Sequence, residues 1–365
     1  MSASMNSNLI SNNNASSGLA IATRLRRALF HPLSRPLGAL AVLLLIDFFM
    51  IPGFFRIEMK DGHLYGSVID IVNRAAPLML AALGMTLVIA TRGIDISVGA
   101  VVAISGTIAA MLIGGTMVVN NGVPEYVSNI PMGWALAAAL GVALLCGAWN
   151  GLLVATLGLQ PIIATLILMV AGRGLAQLLT DGQIITVYYK PFFYLGSGYL
   201  WGLPFSLFIV AGMFVVLALL MRKTALGLFI QSVGINPVAS RLAGIRTAAL
   251  IFFVYIFCSL CAGLAGLMIS ANIKSADANN AGLLLELDAI LAVTLGGTSL
   301  AGGKFSLVGS VIGALIIQAL TYTIYSLGVP PEVNMVVKSV VVFLVCLSQS
   351  PEFRRLRLFK SGNQA

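Results

Sequence analysis

From about residue 37 onward, apolar runs long enough to cross a lipid bilayer alternate with short polar breaks. The runs fall near 37–55, 71–90, 94–118, 131–157, 159–180, 203–221, 248–272, 284–300, 305–327 and 333–350. With about 20 residues needed per crossing of the hydrocarbon core, they predict an all-α polytopic membrane protein of about ten transmembrane helices. Some runs are short or carry polar residues, so one or two fit re-entrant segments equally well. Residues 1–22 are rich in Ser and Asn without apolar periodicity, which predicts disorder. The expected organisation is a basic tail over 1–36, a transmembrane domain over 37–350 and a second basic tail over 351–365.

The long polar interruption lies at 222–247, where TALGLFIQSVGINPVASRLAGIRT separates two blocks of membrane-length segments. Val238, Leu242 and Ile245 recur at helical spacing, with Ser240 and Arg241 turned elsewhere, which predicts a short amphipathic helix. Asn236 is suited to cap its first turn, Pro237 to occupy that turn, and Gly244 to stop it. Two readings fit this pattern: a docking element for a partner, or an ordinary polar loop anchored by its basic residues.

Composition excludes a soluble globule. The chain is 59% hydrophobic and 9% charged, with a mean hydropathy of +1.00, where soluble domains carry about 25% charge. In this setting the excess of 21 basic over 12 acidic residues reads as topogenic charge beside a membrane, and no nucleic-acid partner is implied. If all ten runs cross with the N-terminus inside, Arg24, Arg26, Arg27, Arg35, Arg92, Arg222, Lys223, Arg241, Arg246, Lys304, Arg354, Arg355, Arg357 and Lys360 fall on the cytosolic side. Only Arg56, Lys60, Lys190 and Lys274 fall outside. That bias predicts both termini, and the 222–247 stretch, in the cytosol. It places the aromatic-rich loop 188–201 at the outer interface, a depth that aromatic rings favour.

Catalytic chemistry has no support. Gly302-Gly303-Lys304-Phe305 lacks the glycine spacing and the following Ser or Thr of a phosphate-binding loop, so ATP is not expected on this chain. His31 and His63 are isolated, and Cys146, Cys258, Cys261 and Cys346 all lie in apolar runs, so neither metal binding nor a disulfide framework is expected. The chain reads as a non-enzyme, and transport is the simpler class.

Polar residues inside the runs must face protein or water, because even insertion scales put a mid-bilayer charge at ~2.5 kcal/mol or more. Asn73 opens the second run beside Arg74. Arg92, Asp95 and Ser97 interrupt the chain between the second and third runs. Gly93 and Gly99 bracket that break, which suits unwound backbone lining a cavity and a tight interfacial turn equally. Asn150 sits between Gly147 and Gly151, whose spacing lets helices approach closely. The fifth run begins at Gln160-Pro161 and carries Arg173 and Gln177 on one helical face. These two fit sugar hydroxyls, or Arg173 fits a buried ion pair with Asp181 or Asp277. Asp277, Asn279, Asn280, Glu286 and Asp288 precede the eighth run, as an outer vestibule or as caps and turn formers. Glu286 and Asp288, two residues apart, cannot share a helix face.

Four stretches carry a family resemblance: GMTLVIATRGIDISVGA (84–100), WNGLLVATLGLQPIIATLILMVAGRG (149–174), GINPVASRLAGI (234–245) and LDAILAVTLGGTSLAGG (287–303). Together they resemble the ribose-type permeases of bacterial ATP-binding-cassette importers, within the branched-chain amino acid and ribose permease superfamily. NRAAP (73–77), TLILMVAGRGLAQL (165–178) and SADANNAGLLLELDAILAV (275–293) resemble the galactofuranose-importing type most. The similarity covers about residues 37–350. Arg92 departs from that type, which tends to have glycine there.

The resemblance implies a permease subunit in the bacterial inner membrane, paired with a second permease chain that is often non-identical. Cytosolic ATPase subunits carrying ATP and magnesium, and a periplasmic sugar-binding protein, complete the implied assembly; no cofactor is implied on this chain. The 234–245 stretch becomes the coupling helix, with Gly234, Asn236, Pro237, Ser240, Arg241 and Gly244 matching the family pattern. A bulky or acidic replacement at Gly234 or Arg241 is then expected to abolish coupled uptake while leaving insertion intact. Galactofuranose is the expected cargo, with ribose or xylose as alternatives within the class. An ion-coupled secondary transporter using Asp47, Glu286 or Asp288 is the alternative from another class.

Overall fold

The structure is a computed structural model that describes residues 33–60, 62–120 and 123–330, with scattered positions from 333 to 344. Twelve helices are described: α1 (Ser34–Met50), α2 (Ser67–Ala90), α3 (Val98–Ile113), α4 (Met132–Ala155), α5 (Pro161–Leu179) and α6 (Lys190–Ser197), then α7 (Phe205–Lys223), α8 (Leu226–Ile235), α9 (Pro237–Leu242), α10 (Thr247–Ile273), α11 (Leu285–Leu295) and α12 (Leu307–Ser326). Six of them, α2, α4, α5, α7, α10 and α12, are long and apolar enough to cross a membrane. The tails expected over 1–36 and 351–365 lie almost wholly outside the described residues, as does most of the run at 333–350.

Three expected crossings are shorter than their apolar runs. α1 has 17 residues, α3 has 16 and α11 has 11. At ~1.5 Å per residue, α11 spans roughly 16 Å, about half of a ~30 Å hydrocarbon core. Non-helical backbone precedes both α3 and α11. Around the break before α3, Gly93, Asp95 and Ser97 are buried, the condition under which irregular backbone is tolerated at membrane depth, whereas the turn before α11 exposes Asn279, Asn280 and Leu283. The run expected to continue to 118 stops at Ile113, because Gly114 and Gly115 take φ of 49° and 128°, conformations that suit glycine and end a helix.

The connections add short strands to a mostly helical bundle. Four two-stranded antiparallel pairs form: β1 (Glu58–Lys60) with β2 (His63–Tyr65), β3 (Thr116–Asn120) with β4 (Val123–Val127), β5 (Ile185–Thr186) with β8 (Ser275–Ala276), and β6 (Tyr199–Leu200) with β7 (Leu203–Pro204). Short connections must still pair their N–H and C=O groups, and these ladders do so. All four gather at the hairpin end of the bundle, where Leu64 N–H donates to Gly202 and Tyr188 N–H to Gly114. α8 and α9 lie at the opposite end. The aromatic loop expected over 188–201 is at the hairpin end, with Phe192 buried and Trp201 86% exposed.

α2 and α10 form the centre. From Leu78 to Ala90 every residue of α2 is buried, and α10 is buried along most of its length. Small residues permit the contacts. A Cβ at Gly84 would overlap the Cys258 backbone, and one at Gly147 would overlap Ile256 and the Tyr255 carbonyl. α4 therefore packs on α10 through the Gly147 and Gly151 face, as close-approach spacing predicts. α5 and α7 lie at the periphery and keep large apolar faces exposed, including Leu166, Val170 and Leu178 of α5.

Candidate functional site

Three regions bring the sequence-predicted polar residues to order. At the α9 end, Asn236 leaves α8 with extended dihedrals, and its Oδ1 accepts from Val238 N–H and Ala239 N–H, both at 3.0 Å. Pro237 supplies the first turn, where a missing N–H is harmless. Ser240 is buried and donates to the Asn236 carbonyl at 2.9 Å. Gly244 ends the element with φ 85°, a left-handed cap that favours glycine. The faces separate as the spacing predicts, with the apolar side outward: Val238 is 68% and Leu242 85% exposed. Arg241 is exposed beside them. An apolar groove of about 600 Å³ runs alongside, lined by Leu226, Phe229, Gly244, Ile245, Leu250 and Phe253 among others.

Arg92 ties this end together, a role that sequence reasoning missed. It follows the last turn of α2 with φ 66°, so a residue other than glycine occupies a left-handed position. Its Nη2 donates to the Ile235 carbonyl at 2.5 Å and its Nε to the Ala301 carbonyl at 3.0 Å. The guanidinium thus sits at the negative carbonyl end of α8 and, reaching out from the end of α2, ties α8 and the loop after α11 to it. Gly303 N–H adds a bond to the Ala90 carbonyl at 2.9 Å. Gly234 and Gly302 make room for the knot: a Cβ at Gly234 would overlap the Ala90 oxygen and Gly303, and one at Gly302 would overlap Arg92.

Deeper in the bundle, the break between α2 and α3 forms a buried polar seam. Asp95 Oδ1 accepts from Ser97 N–H at 2.9 Å and from Ser97 Oγ at 2.6 Å, and Asn150 Nδ2 donates to the same Oγ at 2.8 Å. All three residues are fully buried. Thr165 Oγ1 accepts from Ile96 N–H at 3.2 Å and fixes the unwound backbone against α5. Glu286 joins from α11: it is 3% exposed, and a Cβ at Gly99 would overlap its carboxylate. Asp95 Oδ2, Asn150 Oδ1, Tyr255 Oη and Glu286 Oε2 are buried without a hydrogen-bond partner among the described residues.

Arg173 and Gln177 project from α5 towards the segment before α11. Arg173 Nη1 donates to the carbonyls of Ala281 at 2.8 Å, Asn279 at 3.2 Å and Ala278 at 3.3 Å, and Gln177 Nε2 donates to Asn279 Oδ1 at 2.8 Å. The ion pair with Asp181 or Asp277 offered for Arg173 is not formed. The guanidinium instead satisfies backbone carbonyls freed by the non-helical turn. Asp277 is spent locally, accepting from Asn279 N–H, Asn280 N–H and Asn280 Nδ2 at 2.9, 3.2 and 2.7 Å, which is the turn-forming reading. Its partial burial favours the protonated form, but those bonds and the nearby Arg173 outweigh it and hold the carboxyl below the ordinary range.

Other candidates stand apart. Gln160 is exposed ahead of α5, and Asn280 is exposed. Asp288 is half-buried, whereas Glu286 is buried, as their spacing requires. Asn73 accepts from the Ser206 hydroxyl across α2 and α7. Asp47 is buried on α1 and accepts from Thr323 at 2.5 Å.

Comparison with known proteins completes the picture. Residues 67–346 match the family model described as branched-chain amino acid transport system / permease component. The chain belongs to this family. It is 52% identical over 318 residues to the galactofuranose transporter permease protein of Escherichia coli, covering 87% of this chain and 89% of that protein. It is 40% identical to the fructose import permease protein of Bifidobacterium longum, over 81% of each chain. It is 38% identical to the ribose import permease protein of Escherichia coli, over 86% of this chain and 92% of the relative. No solved structure matches the chain. With apolar helices of membrane-crossing length, membership places the chain among multi-pass membrane permeases.

Proposed function

We propose that this chain is a permease subunit of an ATP-binding-cassette importer, carrying galactofuranose from periplasm to cytoplasm across the bacterial inner membrane. The observation that carries the reading is 52% identity to a galactofuranose transporter permease across nearly the whole of both chains. The α9 end supports the division of labour. α9 is capped, short and outward-facing, with Val238 and Leu242 exposed beside an apolar groove, as a surface for a cytosolic ATPase requires. ATP and magnesium reside on that ATPase, both termini lie in the cytoplasm, and a second permease chain and a periplasmic binding protein complete the assembly.

In this mechanism, closure of the ATPases on ATP pushes α9. The Arg92 knot passes the displacement to α2 and to the loop after α11. The elements that move are the interrupted ones, the break at 91–97 and the turn at 275–284, which meet where Gly99 packs on Gly282 and Glu286. Such packed seams switch between discrete arrangements, and the pathway changes the side to which it opens.

Reconstitution of the chain with its partner permease, ATPase and binding protein tests the proposal. Uptake across galactofuranose, galactopyranose, ribose, xylose and fructose is expected to be ATP-driven and largest for galactofuranose. ATP-driven uptake led by another sugar would replace the cargo, and uptake that follows only an ion gradient would reject the class.

A further inference from the structure

Toward the hairpin end, between α2, α7, α10 and α12, lies a cavity of about 230 Å³ lined by Asn73, Arg74, Pro77, Ser206, Asn272 and Gln318 among others. It has room for about eight water molecules at ~30 Å³ each, the scale of a single sugar ring. It is separate from the Asp95–Ser97–Asn150 seam and shares no lining residue with it.

Its hydrogen-bonding groups are only partly used. Pro77 stands inside α2 and lacks the N–H that would bond the Asn73 carbonyl four residues earlier, which leaves an acceptor at the wall. Asn73 uses its side-chain oxygen on Ser206, and among the described residues its amide nitrogen has no partner. Asn272 uses its amide nitrogen on the Gly196 carbonyl at 3.0 Å, and its oxygen has no partner among the described residues. The Gln318 side chain likewise has none among the described residues. Arg74 Nε is engaged by Asp70 at 2.8 Å, which neutralises its charge while its terminal nitrogens stay available to donate. Donors and acceptors therefore converge around an apolar floor that includes Met268, with no uncompensated charge.

That combination fits a neutral polyhydroxylated ring, whose hydroxyls both donate and accept and whose C–H face covers apolar surface. We propose that this cavity binds a monosaccharide inside one permease chain, in the half of the bundle nearest the hairpins. The inference rests on the sugar-importer reading and adds a holding position that precedes the seam.

Cysteine protection in the reconstituted transporter tests it. Cys146, Cys258 and Cys261 are buried, so Gln318→Cys in a Cys346→Ser background supplies a reporter for a water-soluble maleimide. Methyl β-D-galactofuranoside at millimolar concentration is expected to slow labelling at least several-fold, while equimolar mannitol leaves it unchanged. Ser206→Cys reports on the same cavity if Gln318→Cys fails to assemble. An unreactive cysteine at either position, or equal labelling in furanoside and mannitol, would overturn the site. ATP-driven uptake by the unsubstituted transporter is read in parallel. Lost protection with intact uptake rejects this cavity alone, whereas absent uptake rejects the importer reading.

Discussion

Arg92 is the residue on which the α9 end depends most. Its two bonds join carbonyls that are 143 and 209 residues away in the chain. Hydrogen bonds from a charged group contribute roughly 1.5–3 kcal/mol each, so Arg92→Ala loosens the knot without emptying a core position. Insertion and ATPase binding are expected to persist, while sugar molecules moved per ATP hydrolysed fall about ten-fold; Arg92→Lys recovers only part of the loss because one ammonium cannot reproduce the guanidinium fork. A merely structural role would lower assembly yield and leave that ratio intact. Asp277 gives a pH signature. Its folded carboxyl titrates below its unfolded value, so its stabilisation is complete above about pH 4 and fades as pH falls through the folded value. Thermal melts of detergent-purified protein are expected to show Asp277→Asn below the unsubstituted chain at pH 7, with the gap narrowing as pH falls below the ordinary carboxylate range. A gap that widened in acid would reverse the assignment.

Among the elements, α9 was the most legible, because its signals are local. Asn236 and Pro237 announce its start, Gly244 its end, and the spacing of Val238 and Leu242 its two faces. The long crossings were legible for a similar reason, since apolar length alone predicts them. The interruption at 91–97 was also legible, from Gly93 and Gly99 around Arg92, Asp95 and Ser97, but the helix starts that follow were not. Where α3 and α11 begin depends on contacts such as Asn150 with Ser97 and Arg173 with Ala281, pairs 53 and 108 residues apart that no local pattern reports. The hairpin pairings escaped notice because each is only two to five residues long. Burial also separates two substitutions that the sequence treats alike. Gly234→Ala places a Cβ against the Ala90 carbonyl, and overpacking of ~1–3 kcal/mol should appear as reduced thermal stability. Arg241→Glu changes an exposed side chain, and is expected to keep the melt unchanged while ATPase affinity drops at least several-fold. Equal melts for both variants would mean that Gly234 is not packed as described.

For the whole molecule, the claim is a division between a stiff centre and two working ends. α2 and α10 form the buried axis, interrupted helices line the seam beside it, and the hairpin and α9 ends face opposite compartments. The cargo remains the part least written in the fold. In the seam Asp95, Ser97 and Asn150 are bonded to one another, so they shape a path more than they select among sugars, and in this reading selectivity falls to the cavity beneath the hairpins and to the binding protein. The central claim is that the ATPase grips the α9 end, and site-specific photo-crosslinking tests it most directly. Benzoylphenylalanine placed at Leu242 in the assembled transporter should capture the ATPase subunit, with a yield that changes when ATP is bound. The same probe at Trp201, exposed at the hairpin end, should capture none. Capture from Trp201, or none from Leu242 in a transporter that still couples ATP to uptake, would contradict the account.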